Sequence, residues 1–467
     1  MTTLDTTELT PLRQSLTGAV LAPSDEGYEA ARKIWNGQID RRPAVIAQVA
    51  GPADVAAALA FAREHALPVS VRGGGHSFGG FSVCENGLLI DLSGLRAVVV
   101  DPQARTLRCG GGTTWAELDA AGQQEGLAVP GGTISDTGVG GLTLGGGVGW
   151  LTSRHGLSID NLLSVEVVTA DGVTRRASEE ENADLFWALR GGGGNFGVVT
   201  EFEFRGHPVG PMIEFGLFFW PLAQGPEALR FIRDTLATLP PTMGAMLVGL
   251  NAPPAEFVPP EAHFAPGYAL VIAGFEGPEE HAAVVAQVRR GLPTAFELVT
   301  PIPYVALQQM LDEAAPRGTL SYEKALYVDE LSDEVLDVIA EYLPRKASPM
   351  SIMPMFVMRE AFTRVPEDAT AFGGTRSPKL AVNIAAMAPE QPLFETDRAW
   401  VREFWAALTP FASGAGGYVN FMTEYDENRV RAAYGADKYE RLALLKAEYD
   451  PGNVFHLGAN IRPAVTV

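Results

Sequence analysis

The chain has 467 residues, 46% of them hydrophobic, which suits two or three folded domains of about 150 residues each and argues against disorder. Its 56 acidic and 35 basic residues give a net charge of −21. Nucleic acids and anionic membranes are bound by basic surfaces, so we predict neither as a partner. Two cysteines rule out a disulfide framework, and the seven histidines show no metal-ligand spacing, so no metal site is expected.

Strand-like and helix-like stretches alternate in the first part of the chain, as in proteins with α/β layering. Strands are predicted at residues 42–49, 67–71, 88–92, 97–100, 106–109, 163–170 and 198–204. Helices are predicted at residues 24–36, 52–65, 114–125 and 182–190. The first residues lack the basic-then-apolar order of a signal peptide, and no unbroken apolar run is long enough for a bilayer. The sequence therefore predicts a cytoplasmic protein.

The first of three glycine-rich segments, residues 71–80 (VRGGGHSFGG), follows a short apolar run. Glycines let successive backbone N–H groups converge on one point, and such a nest binds anions, typically phosphate. Arg72 at its edge can add a bidentate contact to a phosphate, and His76 places a nucleophilic ring nitrogen in the middle. The segment predicts a phosphorylated cofactor close to His76; the plainer alternative is a flexible turn with a solvated histidine.

The same segment also fits a different enzyme class. Residues 75–79 match G-x-S-x-G, the nucleophile elbow of esterases and lipases, with Ser77 as the nucleophile. That motif requires a helix directly behind the serine, whereas the residues after Ser77 contain glycines and show no helical period. A serine esterase therefore stays as an alternative hypothesis.

Two further glycine-rich segments follow. Residues 130–150 are apolar with Asp136 as the one charge, and we predict no helix there; the segment either approaches a flat ligand closely or packs between two sheets. Residues 191–199 contain a G-x-G-x-x-G pattern, but a predicted helix precedes it and a strand follows. The dinucleotide-binding fingerprint needs the opposite order, so NAD is not expected here.

The amino-acid composition changes near residue 212, where glycine becomes rarer and proline commoner. Apolar runs alternate with predicted helices at residues 227–239, 279–291, 304–312, 333–343 and 397–408. This pattern indicates a separate α+β domain, a sheet with helices on one face. In the tail, Tyr418 and Asn420 lie two residues apart, so on a strand they would face one side, either for function or for ordinary packing.

Taken together, these motifs resemble the berberine-bridge-enzyme-like flavoproteins, a branch of the vanillyl-alcohol-oxidase superfamily of FAD-linked oxidases. The resemblance covers nearly the whole chain from Arg41 onward. The motifs that carry it, in order, are RGGGHS (72–77), GVGG (138–141), GGGVGW (145–150), GLSIDN (156–161), DLFWALRGGGGNFG (184–197), YVN (418–420) and YDPGNVF (449–455).

The resemblance implies an α+β fold, with a two-part FAD-binding domain of PCMH type and a substrate domain whose antiparallel sheet is covered by helices. We place an N-terminal extension with a helix at residues 1–40 and the FAD-binding domain at 41–207. The substrate domain is placed at 208–415, and a C-terminal segment that returns to the FAD-binding domain at 416–467.

The resemblance also implies that a ring nitrogen of His76 is bonded to the 8α-methyl group of FAD. Many relatives add a second bond from a cysteine, but Ile134 stands at that position, so we predict a single covalent link. Cys84 and Cys109 do not match the position and are predicted to be buried thiols. The residues assigned to FAD binding are Arg72, Gly73, Gly74, Gly75, His76, Ser77, Gly79, Gly80, Thr133, Thr137, Gly138, Gly140, Gly141, Gly145, Gly147, Gly149, Trp150, Asp160, Asn161, Gly197, Val198, Val199, Tyr418 and Asn420.

The implied reaction takes a hydride from an alcohol or amine C–H of a small organic substrate and passes the electrons to O2, forming hydrogen peroxide, or to another acceptor in a dehydrogenase. The predicted catalytic residues are Tyr418 with Asn420 for substrate hydrogen bonding or proton transfer, Lys324 as a cation beside Tyr418, and Thr137 for oxygen access. Monomer and homodimer both remain open, as does a flavin- or ligand-binding protein without catalysis.

Overall fold

The computed structural model describes residues 4–414, 416–424 and 427–465. Its strands are β1 (Ala19–Leu21), β2 (Val45–Gln48), β3 (Val69–Arg72), β4 (Leu88–Asp91), β5 (Val98–Asp101), β6 (Thr106–Gly110), β7 (Leu127–Ala128), β8 (Leu162–Val168), β9 (Thr174–Ser178), β10 (Val198–Arg205), β11 (His207–Pro208), β12 (Met212–Pro221), β13 (Gly244–Asn251), β14 (Pro266–Gly274), β15 (Phe296–Pro303), β16 (Leu320–Val328), β17 (Met353–Met358) and β18 (Lys379–Ala388). Its α-helices are α1 (Thr6–Ser15), α2 (Tyr28–Ala31), α3 (Pro52–Glu64), α4 (Trp115–Gln124), α5 (Val139–Leu144), α6 (Thr152–His155), α7 (Ala183–Leu189), α8 (Gly225–Thr238), α9 (Pro278–Arg290), α10 (Tyr304–Gln309), α11 (Asp333–Tyr342), α12 (Ala361–Arg364), α13 (Gln391–Leu408), α14 (Glu427–Tyr434) and α15 (Ala436–Tyr449).

The first lobe contains two main sheets, and β7 and β11 pair as a separate two-stranded antiparallel ribbon. The smaller main sheet has the order β1-β2-β4-β3, in which β2, β4 and β3 run parallel and β1 is an antiparallel edge strand. Helices α1 and α3 share a hydrophobic core with this sheet. The predicted N-terminal extension is therefore built into the sheet through β1, rather than lying outside it.

The second sheet of this lobe is antiparallel, with the order β5-β6-β10-β8-β9. Its core includes Phe202 and Phe204 of β10, Leu185 of α7 and Leu442 of α15. The C-terminal helix thus returns to the first lobe, and its hydrophobic side chains complete a core begun more than two hundred residues earlier.

The second lobe is a seven-stranded antiparallel sheet with the order β15-β12-β14-β13-β17-β18-β16. Side chains alternate between its faces, as the pleat of a strand requires. Phe218 and Trp220 pack beneath helices α8, α9, α11 and α13, while Phe215 and Phe219 face the first lobe, where Trp150 lies in the same core. This arrangement confirms the expected α+β fold with helices on one face of the substrate-domain sheet.

The second glycine-rich segment contains a helix, α5, so the prediction that it would hold none is wrong. The helix is six residues long and well packed: a Cβ atom on Gly140 would already lie 3.2 Å from the Phe202 ring. Tertiary contact outweighs the low helix propensity of glycine here, as it often does for short elements. The helix predicted at residues 24–36 shrinks to the single turn of α2.

In the part of the chain that the structure describes, none of the helices combines the length and the apolar character needed to cross a bilayer.

Candidate cofactor and active site

A cavity of about 340 Å³ lies where the glycine-rich segments, the large sheet and the C-terminal segment meet. Two of the glycine-rich segments line it with bare backbone, and the third contributes Gly193, Gly194 and Asn195. The residues that line the cavity and were predicted to bind the cofactor or act in catalysis are Gly73, Gly74, Gly75, His76, Ser77, Thr133, Thr137, Gly138, Gly141, Gly145 and Asn420.

The glycines of the cavity wall serve two purposes. Gly74 and Gly138 pack against each other, and a Cβ atom on Gly74 would lie 2.3 Å from the backbone nitrogen of Gly138. Gly141 and Gly194 instead have nothing within 4 Å of the position where a Cβ atom would be. Some glycines therefore let the two loops touch, while others leave room for a ligand.

His76 is held in the cavity wall with its side chain only 6% exposed. Its Nε2 lies 2.8 Å from Oδ1 of Asp136, and its ring stacks on Trp35 with the centroids 4.7 Å apart. Burial lowers the pKa of His76, and the hydrogen bond and charge of Asp136 oppose this without reversing it. The imidazole is therefore neutral near neutral pH and donates Nε2–H to the carboxylate.

Asp136, the lone charge of the second glycine-rich segment, is itself paired. Its Oδ2 lies 2.7 Å from Nε of Arg317, which also donates to the Gly74 carbonyl at 2.8 Å. Trp35 donates its indole N–H to the Ala315 carbonyl at 2.8 Å. The loop between α10 and β16 therefore closes over the imidazole from the second lobe. Sequence reasoning assigned no role to Asp136, although its isolation among apolar residues was a usable signal.

Arg72 does not lie at the edge of the cavity as predicted. It is buried, with its guanidinium bonded to both carboxylate oxygens of Asp91, at 3.1 and 2.5 Å, and to the carbonyls of Ala31 and Lys33. Arg72 and Asp91 are direct partners in the parallel register of β3 and β4. The guanidinium therefore holds β3 against β4, and a contact from Arg72 to a phosphate stays a prediction.

The Ser77 environment does not suit a nucleophile elbow. Its Oγ accepts a hydrogen bond from the backbone N–H of Phe81 at 2.9 Å. The regular element that follows is strand β4, so the strand–turn–helix arrangement of that motif is absent from described residues 69–91. The segment is a cavity-lining loop, and the esterase alternative is not supported.

Tyr418 and Asn420 are neighbours in space, but not on a strand. Tyr418 immediately precedes a 3₁₀ turn (Val419–Phe421), and its hydroxyl oxygen accepts hydrogen bonds from the Gly147 N–H at 2.7 Å and Asn420 Nδ2 at 2.8 Å. Burial raises the pKa of Tyr418 to about 12, against the lowering by these two donors. Tyr418 is thus a buried, protonated phenol that holds Asn420, and Asn420 lines the cavity.

Lys324 does not supply a charge beside Tyr418, so that prediction is wrong. Its Nζ lies 4.5 Å from the ring centroid of Trp405 on α13 and 3.7 Å from a carboxylate oxygen of Glu424. Helix α13 covers the outer face of the large sheet, whereas Tyr418 belongs to the core on the inner face. The strand pleat directs Lys324 outward, because neighbouring residues of a strand point to opposite faces.

The neighbouring Glu323 faces inward and was missed by sequence reasoning. It is 2% exposed, and its Oε2 accepts a hydrogen bond from Nδ2 of Asn383 at 2.7 Å. Burial raises the pKa of Glu323 to about 8. Glu323 pairs across the strands with Ala385, which packs in one cluster with Phe78 and Ile134 of the cavity wall. The strand pattern could not reveal it, because Glu323 and Lys324 are neighbouring charged residues and neither face of the strand is uniformly apolar there.

Asp160 and Asn161, which were also predicted to bind the cofactor, make hydrogen bonds within the protein. Both carboxylate oxygens of Asp160 accept hydrogen bonds from Arg376 at 2.8 Å, and Asn161 donates to the His155 and Leu157 carbonyls. The predicted residues whose atoms are not in the cavity lining are Arg72, Gly79, Gly80, Gly140, Gly147, Gly149, Trp150, Asp160, Asn161, Gly197, Val198, Val199, Tyr418 and Lys324.

The two-sheet lobe, the helix-covered antiparallel sheet and the glycine-walled cavity between them define a PCMH-type FAD-linked oxidoreductase. A family model described as "FAD binding domain" matches residues 43–178, and one described as "Berberine and berberine like" matches residues 417–462. The chain belongs to the berberine-bridge-enzyme-like family of FAD-linked oxidoreductases.

Relatives of known name match over almost their full length. An FAD-linked oxidoreductase of Aspergillus terreus, pgmH, is 32% identical over 98% of this chain and 96% of its own. The (R)-6-hydroxynicotine oxidase of Paenarthrobacter nicotinovorans is 30% identical over 97% of this chain and 98% of its own. The crystal structure of 6-hydroxy-D-nicotine oxidase from Arthrobacter nicotinovorans superposes with a TM-score of 0.87 at 28% identity, covering 97% of this chain and 99% of that one.

Proposed function

We propose that this enzyme holds FAD in the glycine-walled cavity through one covalent bond to His76, oxidises an alcohol or amine C–H of a small organic substrate, and reduces O2 to hydrogen peroxide. The observation that carries the proposal is the placement of His76. Its imidazole is buried, lines the cavity, and has one ring nitrogen engaged by Asp136, which leaves the other nitrogen for the cofactor.

The cavity suits a long nucleotide cofactor. Its lining extends from His76 past Gly138 to Gly194 in the third glycine-rich segment and to Gly458 near the C-terminus. Backbone N–H groups in such glycine loops are good partners for phosphate oxygens. The open space at Gly141 and Gly194 is where a flat or extended ligand can approach the main chain.

The side chains near the cavity support a single covalent link. Ile134 lines it and has no nucleophilic atom. The two cysteines are buried elsewhere: Cys84 contacts the Pro68 carbonyl, and Cys109 lies in the core of the second sheet. Burial raises the pKa of both thiols, so neither offers a thiolate near neutral pH.

When bound, FAD would supply the hydride-accepting group, and the chain supplies position and proton handling. Phe356, Phe421 and Met422 line the cavity where the large sheet meets it, which favours a substrate with an apolar or aromatic face. Asn420 Nδ2 donates to the Leu142 carbonyl and to the Tyr418 hydroxyl, both at 2.8 Å, so Oδ1 is the amide atom left to accept a hydrogen bond from a substrate hydroxyl or amine. The names of the nicotine-derivative oxidases among the relatives support an amine or alcohol substrate class.

The test begins with the colour of the purified protein. We expect a flavin absorbance spectrum and a flavin that stays with the acid-precipitated chain, and we expect His76→Ala to lose the acid-stable flavin. A panel of alcohols, sugars and cyclic amines is then added under anaerobic conditions, where a substrate bleaches the flavin. O2 uptake with peroxide formation follows on admitting air.

Each alternative has its own outcome in this experiment. A dehydrogenase would be bleached and then reoxidised quickly by an artificial acceptor but slowly by O2. A flavin-binding protein without catalysis would not be bleached by any member of the panel. Acid-stable flavin in His76→Ala would show that the covalent link is at another residue.

A further inference from the structure

We propose that Asp136 is a positioning residue for covalent attachment of FAD: it holds the His76 imidazole by Nε2, so that Nδ1 carries the lone pair that bonds to the 8α carbon. This inference rests on the proposed covalent link at His76. It goes beyond that link by naming the residue, Asp136, that determines which of the two imidazole nitrogens reacts with FAD.

Two contacts fix the orientation of the imidazole. The Nε2–Oδ1 distance to Asp136 is 2.8 Å, and the indole of Trp35 stacks on the ring with an interplanar angle of 24°. Trp35 is fully buried and is anchored through its N–H to the Ala315 carbonyl. Flipping the ring would break the bond to Asp136, so the structure selects one edge of the imidazole for the cofactor.

The carboxylate is itself held in place from the second lobe. Arg317 binds Oδ2 of Asp136 at 2.7 Å and the Gly74 carbonyl at 2.8 Å, so it ties the two glycine-rich segments together. Oδ1 is left for the imidazole. A carboxylate bonded to one nitrogen of histidine fixes the tautomer with the proton on that nitrogen and the lone pair on the other.

The charge states agree with this geometry. The pKa of His76 is lowered, first by burial, so the ring is neutral and its free nitrogen is nucleophilic. Burial acts to raise the pKa of Asp136, but the bonds and charges of His76 and Arg317 outweigh it, and the pKa is lowered. Asp136 is therefore an anion facing the nitrogen that becomes positively charged when the ring is alkylated.

In the attachment step a bond forms between Nδ1 and the 8α carbon, one C–H bond of the methyl group breaks, and its proton leaves. The Nε2–H proton passes to Asp136. The two electrons of the C–H bond stay with the flavin and are then passed to O2, which takes up two protons to give hydrogen peroxide. The Asp136 side chain is 38% exposed, so its proton can leave to solvent.

Ser135 offers a matched control. Its backbone N–H and its hydroxyl bond to the carboxylate of Asp312, at 2.8 and 2.6 Å, and so make a contact between the same segment and the same loop. Neither of these bonds involves the imidazole. Ser135→Ala therefore loosens the docking of the loop without removing the partner of His76.

The experiment uses the full chain produced under riboflavin limitation and then mixed with FAD. Two quantities are measured: the dissociation constant of FAD before attachment, from flavin fluorescence quenching, and the rate at which the flavin becomes acid-stable. We expect Asp136→Asn and Asp136→Ala to attach flavin about 100-fold more slowly, the lower end of what a positioned proton acceptor contributes. FAD affinity should stay near that of the wild type, Asp136→Glu should recover part of the rate, and Ser135→Ala should attach flavin normally.

Attachment by Asp136→Asn at the wild-type rate would overturn the role of Asp136 and leave the covalent link intact. Equal slowing in Ser135→Ala would also overturn it, because loop docking would then explain the effect. A wild-type chain that binds FAD without ever forming acid-stable flavin would show that the covalent link itself fails.

Discussion

Gly74 and Gly138 touch backbone to backbone, and a Cβ atom added to either would lie 2.3 Å from the amide nitrogen of the other. Two segments more than sixty residues apart in the chain therefore depend on each other for their glycines. The glycine content of each segment has a structural cause that is separate from cofactor binding.

That separation is testable with a pair of alanine substitutions. Gly138→Ala should destabilise the fold by about 1–3 kcal/mol, as overpacking does, because backbone atoms cannot move aside. Gly141→Ala lies in helix α5 beside open space, so it should stabilise the apoprotein by up to about 1 kcal/mol while narrowing the cavity and weakening FAD binding. Urea unfolding of the apoproteins and FAD titration would separate the two effects. Equal unfolding free energies for both variants would contradict the packing argument.

The ion pair of Asp160 and Arg376 joins the 3₁₀ turn Ser158–Asn161 to the loop between α12 and β18. Its side chains are 5% and 2% exposed, and both hydrogen bonds are 2.8 Å long. Asp160→Asn leaves the guanidinium buried without its counter-charge, so we expect a loss of about 3–5 kcal/mol in the free energy of unfolding. Glu297→Gln, which breaks an exposed pair with Arg289, should cost less than about 1 kcal/mol. Similar losses in both variants by urea unfolding would refute this difference.

The order of the motifs was enough to predict the family and the α+β fold, and most helices and strands lie near their predicted positions. It was harder to predict which face of the sheet a given strand side chain points to. Whether Lys324 or Glu323 points inward depends on which face of the sheet α13 covers, and a strand carries no local mark of that.

The sequence also did not predict side-chain contacts between residues that are far apart in the chain. Arg72 has a conspicuous place beside a glycine run, but its partner Asp91 is set by the register of two parallel strands. Asp136 reaches His76 only because two loops meet, sixty residues apart in the chain. Such pairings follow from the folded arrangement, whereas the bond between Tyr418 and Asn420 was accessible from their spacing even though the local structure is a 3₁₀ turn and not a strand.

Buried carboxyl groups should make the stability of the fold depend on pH. The pKa of Glu323 rises to about 8 and that of Asp119 to about 7, both through burial, so each stays protonated in the folded chain where the unfolded chain is ionised. The unfolded state then binds fewer protons, and the free energy of unfolding should fall as pH rises from about 5 to about 8. Glu323→Gln should remove part of this fall and Asp119→Asn another part, as measured by urea unfolding at several pH values. A pH dependence unchanged in both variants would be inconsistent with protonated carboxyl groups at these positions.

Thr137 lines the cavity one residue before Gly138, at the position that the family resemblance assigns to oxygen access. A larger side chain there should fill space beside the flavin. It should slow the reaction of the reduced flavin with O2 more than it slows reduction of the flavin by dithionite. We therefore expect Thr137→Leu to lower the rate at which the dithionite-reduced enzyme is reoxidised by air, while Thr137→Ser leaves that rate near the wild-type value. Stopped-flow absorbance of the flavin measures the reoxidation rate of both variants without knowledge of the natural substrate. The thermal midpoint of each variant is the control for an intact fold, because the Thr137 carbonyl also accepts a hydrogen bond from the Trp115 N–H at 3.0 Å. A Thr137→Leu enzyme that keeps its thermal midpoint and is reoxidised as fast as the wild type would remove Thr137 from the oxygen path.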